Sequence, residues 1–152
     1  MEDSVDVLKL ENQLCFPLYT ASRLTTQCYQ PLLKELGLTY PQYLVMLVLW
    51  ERDQVNLSYL SEKLFLQSNT LTPLLKRMES MDLLTRDKSL SDERSIVIAL
   101  TNKGSKLKEK ADCIPSKIFD QINLSKEQAE QLYRTLYQVI GELENIKEKC
   151  HY

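Results

Sequence analysis

Residues 56–80 read NLSYLSEKLFLQSNTLTPLLKRMES, and this stretch decides the fold. Asn56 can cap a short helix that keeps three leucines on one face: Leu57, Leu60 and Leu64. Ser68 offers a second cap a few residues later, and the helix that it begins has an apolar face for the core: Leu71, Leu74, Leu75 and Met78. Two amphipathic helices joined by a tight turn predict a helix-turn-helix.

Two strand-like segments follow the second of these helices, at residues 83–87 and 95–100. Apolar residues alternate with others in the second segment, as expected of a strand with one buried face. The polar stretch 88–94 between the two segments predicts a hairpin with a charged tip. Since a hairpin in this position is a wing, we expect a mainly α protein with a small β-hairpin, the winged helix-turn-helix fold.

The chain before residue 39 predicts one long amphipathic helix. Its apolar residues recur every three or four positions: Leu10, Leu14, Leu18 and Ala21. We expect this helix to cover about residues 8–30. Pro17 lies inside that range and should remove one backbone hydrogen bond and kink the helix, whereas Pro31 should end or restart it.

A central helix is predicted next. Thr39 and Gln42 have the spacing of a capping box, with Pro41 in the first turn. The run 43–50 is apolar on all sides, which also fits a buried strand. The cap and the length of the run favour a buried helix.

The chain after residue 100 predicts further helices. Thr101 can cap one of them, with Pro115 as a local break, and residues 125–128 form the capping box of the last helix. The apolar residues of that last helix are spaced as in a coiled coil: Leu132, Leu136, Val139, Leu143 and Ile146. This coiled-coil seam needs a partner, which is either the first helix of the same chain or a second subunit.

The composition describes a globular protein with a local excess of positive charge. The 152 residues have a net charge of −2, yet residues 63–110 contain ten Lys and Arg against six Asp and Glu, so a polyanion can dock there. The acidic N-terminus does not look like a secretion signal, and no apolar run could span a bilayer, so we expect a cytoplasmic protein. Four scattered cysteines without a C-x-x-C pair favour thiols, and we expect no metal and no cofactor.

The predicted fold has double-stranded DNA as its natural partner, with the second helix in the major groove and the hairpin tip in the minor groove. Short polar side chains suit base edges, and cations suit phosphates or a narrow minor groove. We predict this DNA-binding set: Ser68, Asn69, Thr70, Thr72, Lys76, Arg77, Arg86, Lys88, Asp92 and Arg94. The alternative for Arg94 is a surface ion pair with Asp92 across the loop.

Residues 10–118 resemble the MarR family of transcription regulators, and most specifically its organic hydroperoxide repressors. Five segments carry the resemblance: LENQLCF at 10–16, LTYPQY at 38–43, SNTLTPLLKRME at 68–79, DERS at 92–95 and LTNKG at 100–104. It implies a homodimeric repressor that binds a pseudo-palindromic operator. Gln67 and Asn69 depart from the acidic and small residues usual at these positions, so we expect a different operator sequence.

The resemblance also implies a division of labour along the chain. Residues 1–38 and 101–152 would form a helical dimerisation region, and residues 39–100 the DNA-binding region. Oxidation would then favour a dimer geometry in which the two DNA-binding regions no longer match successive major grooves.

Cys15 is the predicted sensor of organic hydroperoxides, because a thiolate attacks peroxide. Tyr19 lies one helical turn later on the same face. The resemblance adds Tyr29 and Tyr40, whose hydroxyls would donate to the sulfur and stabilise the thiolate without adding charge. Without these tyrosines, Cys15 would be interpreted as a buried and unreactive core cysteine.

The fate of oxidised Cys15 stays open at this point. A sulfenic acid is resolved by a second thiol of the protein, by a small thiol or by over-oxidation. Relatives with a second cysteine have it near residues 120–124, so Cys113 is a candidate resolving thiol that lies out of register. Cys28 is interpreted as a packing residue, and Cys150 as a thiol that can cross-link two chains in air.

Three other functions fit parts of the sequence. The nearest keeps the winged helix but replaces thiol chemistry with a reversible small aromatic ligand between the subunits. A thiol peroxidase would need a nearby Arg or a Thr-x-x-Cys setting, which the sequence lacks, so we expect no enzyme. A pure dimerisation module would leave the basic excess and the hairpin unexplained.

Overall fold

The computed structural model describes residues 6–88 and 95–150, apart from the side chains of residues 148 and 150. After a 3-10 helix at Leu10–Asn12, its elements follow in chain order: α1 Cys15–Leu36, α2 Tyr40–Glu51, β1 Val55–Asn56, α3 Leu57–Leu64, α4 Ser68–Ser80, β2 Leu84–Lys88, β3 Ile96–Leu100, α5 Asn102–Ala111, α6 Ile114–Ile122 and α7 Lys126–Cys150. The chain divides into two compact units, residues 1–114 and 115–152. The predicted fold class, mainly helical with a β-hairpin, is confirmed.

The first long helix differs from the prediction at both prolines. α1 starts at Cys15, so Pro17 lies in its first turn, where the backbone N–H groups have no partner within the helix. The predicted kink at Pro17 is therefore wrong. Pro31 lies inside the helix instead of ending it, and α1 ends at Gly37, whose φ of 69° suits glycine.

The central helix α2 forms as predicted and supplies much of the core. The capping box is present, with the Thr39 backbone N–H donating to Gln42 Oε1 at 2.8 Å. The buried face of α2 consists of Gln42, Tyr43, Val45, Met46 and Leu49. Gln42 is the one polar residue among the buried side chains that the structure describes.

The helix-turn-helix consists of α3 and α4. Asn56 caps α3 as predicted, since its Oδ1 accepts a hydrogen bond from the Tyr59 backbone N–H at 2.8 Å. The predicted cap at Ser68 is wrong by one residue: Gln67 is the N-cap of α4, and its side chain makes no cap hydrogen bond. The core face of α4 is buried as expected, through Leu71, Leu75 and Met78.

The wing is an antiparallel hairpin of β2 and β3, with Arg86 opposite Ile98 in the register. The prediction missed β1, a strand of two residues that pairs with the other edge of β3 and completes a three-stranded sheet in the order β1-β3-β2. A strand this short has no periodicity to detect. Of the predicted charged tip, residues 88–94, Lys88 ends β2, and residues 89–94 lie outside the described part of the chain.

The later helices begin where the caps predicted them. Thr101 Oγ1 accepts from the Gly104 backbone N–H at 3.0 Å at the start of α5, and Ser125 and Gln128 exchange capping hydrogen bonds before α7. The break between α5 and α6 precedes Pro115, which lies in the first turn of α6. Along α7 the seam residues Leu132, Leu143 and Ile146 are exposed in the single chain, the last two at 58% and 55%, whereas Leu136 and Val139 are half-buried.

Among the residues that the structure describes, no helix has the length and apolar character needed to cross a membrane.

Candidate functional site

Cys15 is the first residue of α1, and its side chain is exposed. The alternative of a buried core cysteine is therefore wrong. A helix N-terminus presents unpaired backbone N–H groups and the positive end of the helix dipole, both of which favour negative charge. The sequence did not reveal this position, because the leucines before Cys15 continue the helical spacing and extended the predicted helix beyond its true start.

The surface around Cys15 is open in the single chain. Tyr19, one turn further along α1, is 66% exposed, and Phe16 is also exposed. In the described part of one chain, the Cys15 thiol makes no hydrogen bond to a tyrosine. One chain therefore supplies the thiol and one neighbouring phenol but no enclosed pocket around them.

Tyr29 and Tyr40 contact each other, and a third tyrosine joins them. The ring centroids of Tyr29 and Tyr40 are 4.9 Å apart, and Tyr43 lies 5.9 Å from Tyr29 and 6.5 Å from Tyr40. Tyr43 is only 2% exposed. Its helical position was predicted, but its place in this tyrosine cluster was not, because the contact joins two helices.

The environment of the tyrosine cluster keeps its hydroxyl groups neutral. Burial, and then the neighbouring Tyr40, raises the pKa of Tyr29, and burial raises the pKa of Tyr40. Burial together with Tyr29 and Tyr40 raises the pKa of Tyr43 to about 12. At neutral pH all three side chains are therefore hydrogen-bond donors without charge.

The tyrosine cluster and Cys15 lie far apart within one chain. Tyr29 follows Cys15 by fourteen residues in the continuous helix α1. At a rise of about 1.5 Å per residue the two positions are separated by about 21 Å, well beyond the reach of a phenol. Tyr40 packs against Tyr29, with ring centroids 4.9 Å apart, so it lies near the Tyr29 end of this separation. The predicted set of one thiol and three phenols can therefore meet only between two copies of the chain.

The other described thiols lie elsewhere. Cys113 is exposed at the junction of α5 and α6, and its Sγ is 4.0 Å from the Lys110 carbonyl oxygen. Cys28 is exposed on α1, so its interpretation as a packing residue is wrong for the single chain. No group of side chains suited to hold a metal ion occurs in the described ranges 6–88 and 95–150.

An open cavity of about 540 Å³ lies beside Tyr40. Its walls come from the second half of α1 and from the turn into α2: Thr26, Gln30, Leu33, Lys34, Gly37, Leu38, Thr39, Tyr40 and Pro41. The lining combines apolar side chains with one ammonium group, which suits a small organic molecule.

The start of α4 presents a polar edge to solvent. Ser68, Asn69 and Thr70 are exposed, and Thr72 is half-buried with its Oγ1 donating to the Ser68 carbonyl oxygen at 2.8 Å. Lys76 and Arg77 are exposed further along the helix. This edge has the donors, acceptors and positive charge that base edges and phosphates require.

The wing residues of the predicted DNA-binding set differ in availability. Arg86 is 15% exposed and its guanidinium lies 3.5 Å from the Glu79 carboxylate, so this side chain joins the wing to α4. Lys88 is exposed at the end of β2. Asp92 and Arg94 lie outside the described residues.

Comparison with known proteins gives consistent matches. Residues 27–111 match the family model described as transcriptional regulator SarA/Rot. Over 143 residues the chain is 50% identical to an organic hydroperoxide resistance transcriptional regulator of Bacillus subtilis (strain 168), covering 94% of this chain and 97% of the relative.

Solved structures of AbfR, a protein of Staphylococcus epidermidis, are similar in fold as well as sequence. Reduced AbfR bound to DNA matches with a TM-score of 0.74 and 39% identity, covering 88% of this chain and 93% of AbfR. Disulfide-formed AbfR matches with a TM-score of 0.63 and 41% identity, covering 86% of this chain and 92% of AbfR.

Proposed function

We propose that the chain, which belongs to the MarR/SarA family of winged-helix transcription regulators, is a homodimeric repressor. Within that family it belongs to the subgroup of the organic hydroperoxide resistance regulators. Organic hydroperoxides release it from DNA by oxidising Cys15. One observation carries the proposal: an exposed thiol at a helix N-terminus on the same chain as a cluster of neutral phenols. The protein is a transcription regulator and not an enzyme.

DNA is bound by α4 and the wing. The exposed polar edge of α4 enters the major groove, where Asn69 and Thr70 face base edges and Lys76 and Arg77 bind phosphates. The wing tip with Arg94 reaches the flanking minor groove. The DNA-bound form of reduced AbfR supports this assignment for the reduced state.

The sensing site is shared between two subunits. Residues 1–38 and 101–152 form the dimerisation region, and residues 39–100 bind DNA. Because Tyr29 lies about 21 Å from Cys15 of its own chain and Tyr40 packs against Tyr29, both tyrosines donate to the thiolate of the partner subunit. Tyr19 completes the set from the chain that carries the thiol.

Oxidation consumes one hydroperoxide per thiol. The Cys15 thiolate attacks the terminal oxygen of R–O–O–H, the O–O bond breaks, and an S–OH group forms. The leaving alkoxide takes a proton and departs as R–OH. The neutral sulfenic acid no longer presents the charge that the phenols stabilised, so the dimer shifts to a geometry that does not fit the operator.

A disulfide with Cys113 of the partner subunit is our proposal for the next step. The partner thiolate attacks the sulfenic sulfur and releases water. Cys113 is exposed, and the solved structure of disulfide-formed AbfR supports the general step, since that relative forms a disulfide. After peroxide treatment, non-reducing electrophoresis should show a covalent dimer in the wild type and none in Cys113→Ser. A covalent dimer that persists in Cys113→Ser would exclude this pairing.

The deciding experiment is a gel shift of the reduced protein on its own upstream DNA, with and without one equivalent of hydroperoxide. We expect release of the wild type and retention of Cys15→Ser. Binding that ignores peroxide in both proteins would overturn the proposal. We place this chemistry in the cytoplasm, where the thiols stay reduced at rest.

The cavity beside Tyr40 supports a second candidate function, release by a reversible small aromatic ligand. Cys15→Ser separates the two functions, because it would still respond to such a ligand. A screen of aromatic acids against Cys15→Ser on the same DNA tests it directly.

A further inference from the structure

Helix α2 connects the tyrosine cluster to the far side of the DNA-binding region. Tyr40 is the first residue of α2, Tyr43 packs against Tyr29 and Tyr40, and Trp50 is the last residue but one. The Tyr43 and Trp50 rings meet edge to face, with centroids 6.3 Å apart. One rigid helix therefore carries aromatic contacts from the tyrosine cluster along about 15 Å to its other end.

Trp50 is tied to the start of α5 by a hydrogen bond. Its indole Nε1 donates to the Gly104 carbonyl oxygen at 3.0 Å. Trp50 is half-buried, and the indole N–H of a tryptophan that is largely covered normally finds such a partner. This bond fixes the position of α5 relative to α2.

The start of α5 is in turn clamped to the end of the recognition helix α4. A β-carbon on Gly104 would lie 2.0 Å from the Leu83 carbonyl oxygen, so the two backbones are in direct contact. Thr101 Oγ1 donates to the Asp82 carbonyl oxygen at 2.7 Å, and Lys103 Nζ donates to that of Met81 at 2.7 Å. Met81 is the C-cap of α4, and Leu83 immediately precedes β2 of the wing.

A second contact joins the beginning of α2 to the end of α4. Gln42 Oε1 accepts the Thr39 backbone N–H beside Tyr40, and its Nε2 lies 3.6 Å from Met81 Sδ. Gln42 is buried, so both of its polar atoms depend on these partners. The beginning and the end of α2 thus both hold the segment that joins α4 to the wing.

We propose that α2 transmits the state of the thiol site to the recognition helix, with Trp50 and Gln42 as the positioning residues. The proposal rests on the proposed function, since it assumes that Tyr29 and Tyr40 contact the sensing thiol. When those tyrosines shift on oxidation, α2 moves as a body. Through the contacts of Trp50 with Gly104 and of Gln42 with Met81, this movement shifts the end of α4 and the start of β2.

Trp50→Phe is the first test, because it keeps an aromatic ring against Tyr43 and removes only the donor to Gly104. Operator affinity is measured by fluorescence anisotropy on the upstream DNA, before and after one equivalent of tert-butyl hydroperoxide. Allosteric coupling is typically about 5- to 150-fold, and we expect the wild-type Kd to rise on oxidation within that range. In Trp50→Phe we expect the reduced Kd to stay close to wild type and the rise on oxidation to shrink to about 3-fold or less, below the usual range of coupling.

Lys108→Met is the matched control. Lys108 Nζ donates to the Trp50 carbonyl oxygen at 3.3 Å, so this variant loses a hydrogen bond to the same residue but leaves the indole in place. It should release DNA as the wild type does. The rate of Cys15 oxidation should be equal in all three proteins. Full release by oxidised Trp50→Phe would overturn the proposal, whereas a wild type that ignores peroxide would overturn the proposed function itself.

A second measurement uses the wild type and does not depend on the folding of a variant. Trp50 is the single tryptophan of the chain, so its emission reports on this contact alone. We expect the emission to change in proportion to Cys15 oxidation and to stay constant in Cys15→Ser. An emission that stays constant while the wild type releases DNA would contradict the proposal.

Discussion

The winged region of residues 39–100 and the helix α7 differ in how much of their structure one chain completes. In the winged region each helix has fully buried side chains, such as Val45 in α2, Leu60 in α3 and Leu71 in α4. Along α7 the seam residues Leu132, Leu143 and Ile146 remain about half exposed. Apolar faces of this kind are buried when a second chain packs on them. The difference teaches that one chain buries the core of its winged region by itself, whereas the seam of α7 keeps exposed apolar side chains that a second chain could cover.

The largest expected effect comes from breaking the exposed seam. Leu143→Glu places a charge on it, and we expect a monomer in sedimentation. Because two linked DNA-binding units gain about 10²- to 10⁴-fold in avidity, operator affinity should fall by at least about 100-fold. Gln138→Glu adds the same charge at an exposed position outside the seam and should leave both properties unchanged. A dimeric Leu143→Glu would show that the seam is not the interface.

Gly104→Ala tests the self-contained region instead. Its β-carbon would meet the Leu83 backbone, which cannot move without disturbing β2 and the end of α4. We expect a loss of about 3 kcal/mol in the free energy of unfolding, measured by urea denaturation. Gly141→Ala in α7 has open space around it and should stabilise its helix by up to about 1 kcal/mol. If both variants changed the free energy of unfolding equally, the winged region would not be packed more tightly around its glycine than α7 is.

The pH dependence of the free energy of unfolding tests how the tyrosine cluster contributes to stability. The folded pKa of Tyr43 is raised to about 12, above the ordinary value of 10.0. A raised pKa contributes stability that is fully present below pH 10 and is lost as the pH rises through the folded value. Stability should therefore fall between about pH 10 and pH 12, and less steeply in Tyr43→Phe than in the wild type.

The control for the alkaline experiment is Tyr19→Phe, which removes an exposed phenol outside the cluster. Its unfolding free energy should follow the wild-type pH dependence. If Tyr43→Phe does the same, the tyrosine cluster is not the origin of the alkaline loss.

The smallest effect concerns the cap of the recognition helix. Gln67→Asp places a negative charge at the N-cap of α4, close to the phosphates that this helix end approaches. We expect operator affinity to fall several-fold at low salt and less at high salt, because ions screen the repulsion. The same change at exposed Gln30 on α1 is the control in gel-shift titration. An affinity that does not fall would exclude this charge effect.

Local signals predicted most of the winged region. Caps at Thr39, Asn56 and Thr101 and the alternation in β3 act within a few residues, so the sequence displays them directly. β1 was not predicted because its two residues form a strand only through their pairing with β3, which is distant in sequence. The start of α1 was also predicted wrongly, because the leucine spacing of a helix continues from Leu10 to Leu18, whereas the helix itself begins at Cys15.

The sensor could be predicted only in part. Cys15 and Tyr19 are neighbours on one helix, which helical spacing reveals. The assembly of Tyr29, Tyr40 and Tyr43 depends on how α1 packs on α2, and no periodicity encodes that. The distance between Cys15 and Tyr29 could not be predicted, because it depends on α1 running from Cys15 to Leu36 without a kink at Pro17.

The length of α1 between Cys15 and Tyr29 has a genetic consequence. In a two-fold dimer each chain gives its thiol to one site and its tyrosines to the other. A cell that carries one allele with Cys15→Ser and another with Tyr29→Phe and Tyr40→Phe would therefore assemble mixed dimers with one doubly damaged site and one intact site. Hydroperoxide would then release only the mixed dimers from DNA, whereas both kinds of parent dimer would stay bound, so the response of purified mixed dimers would show directly that each site is shared.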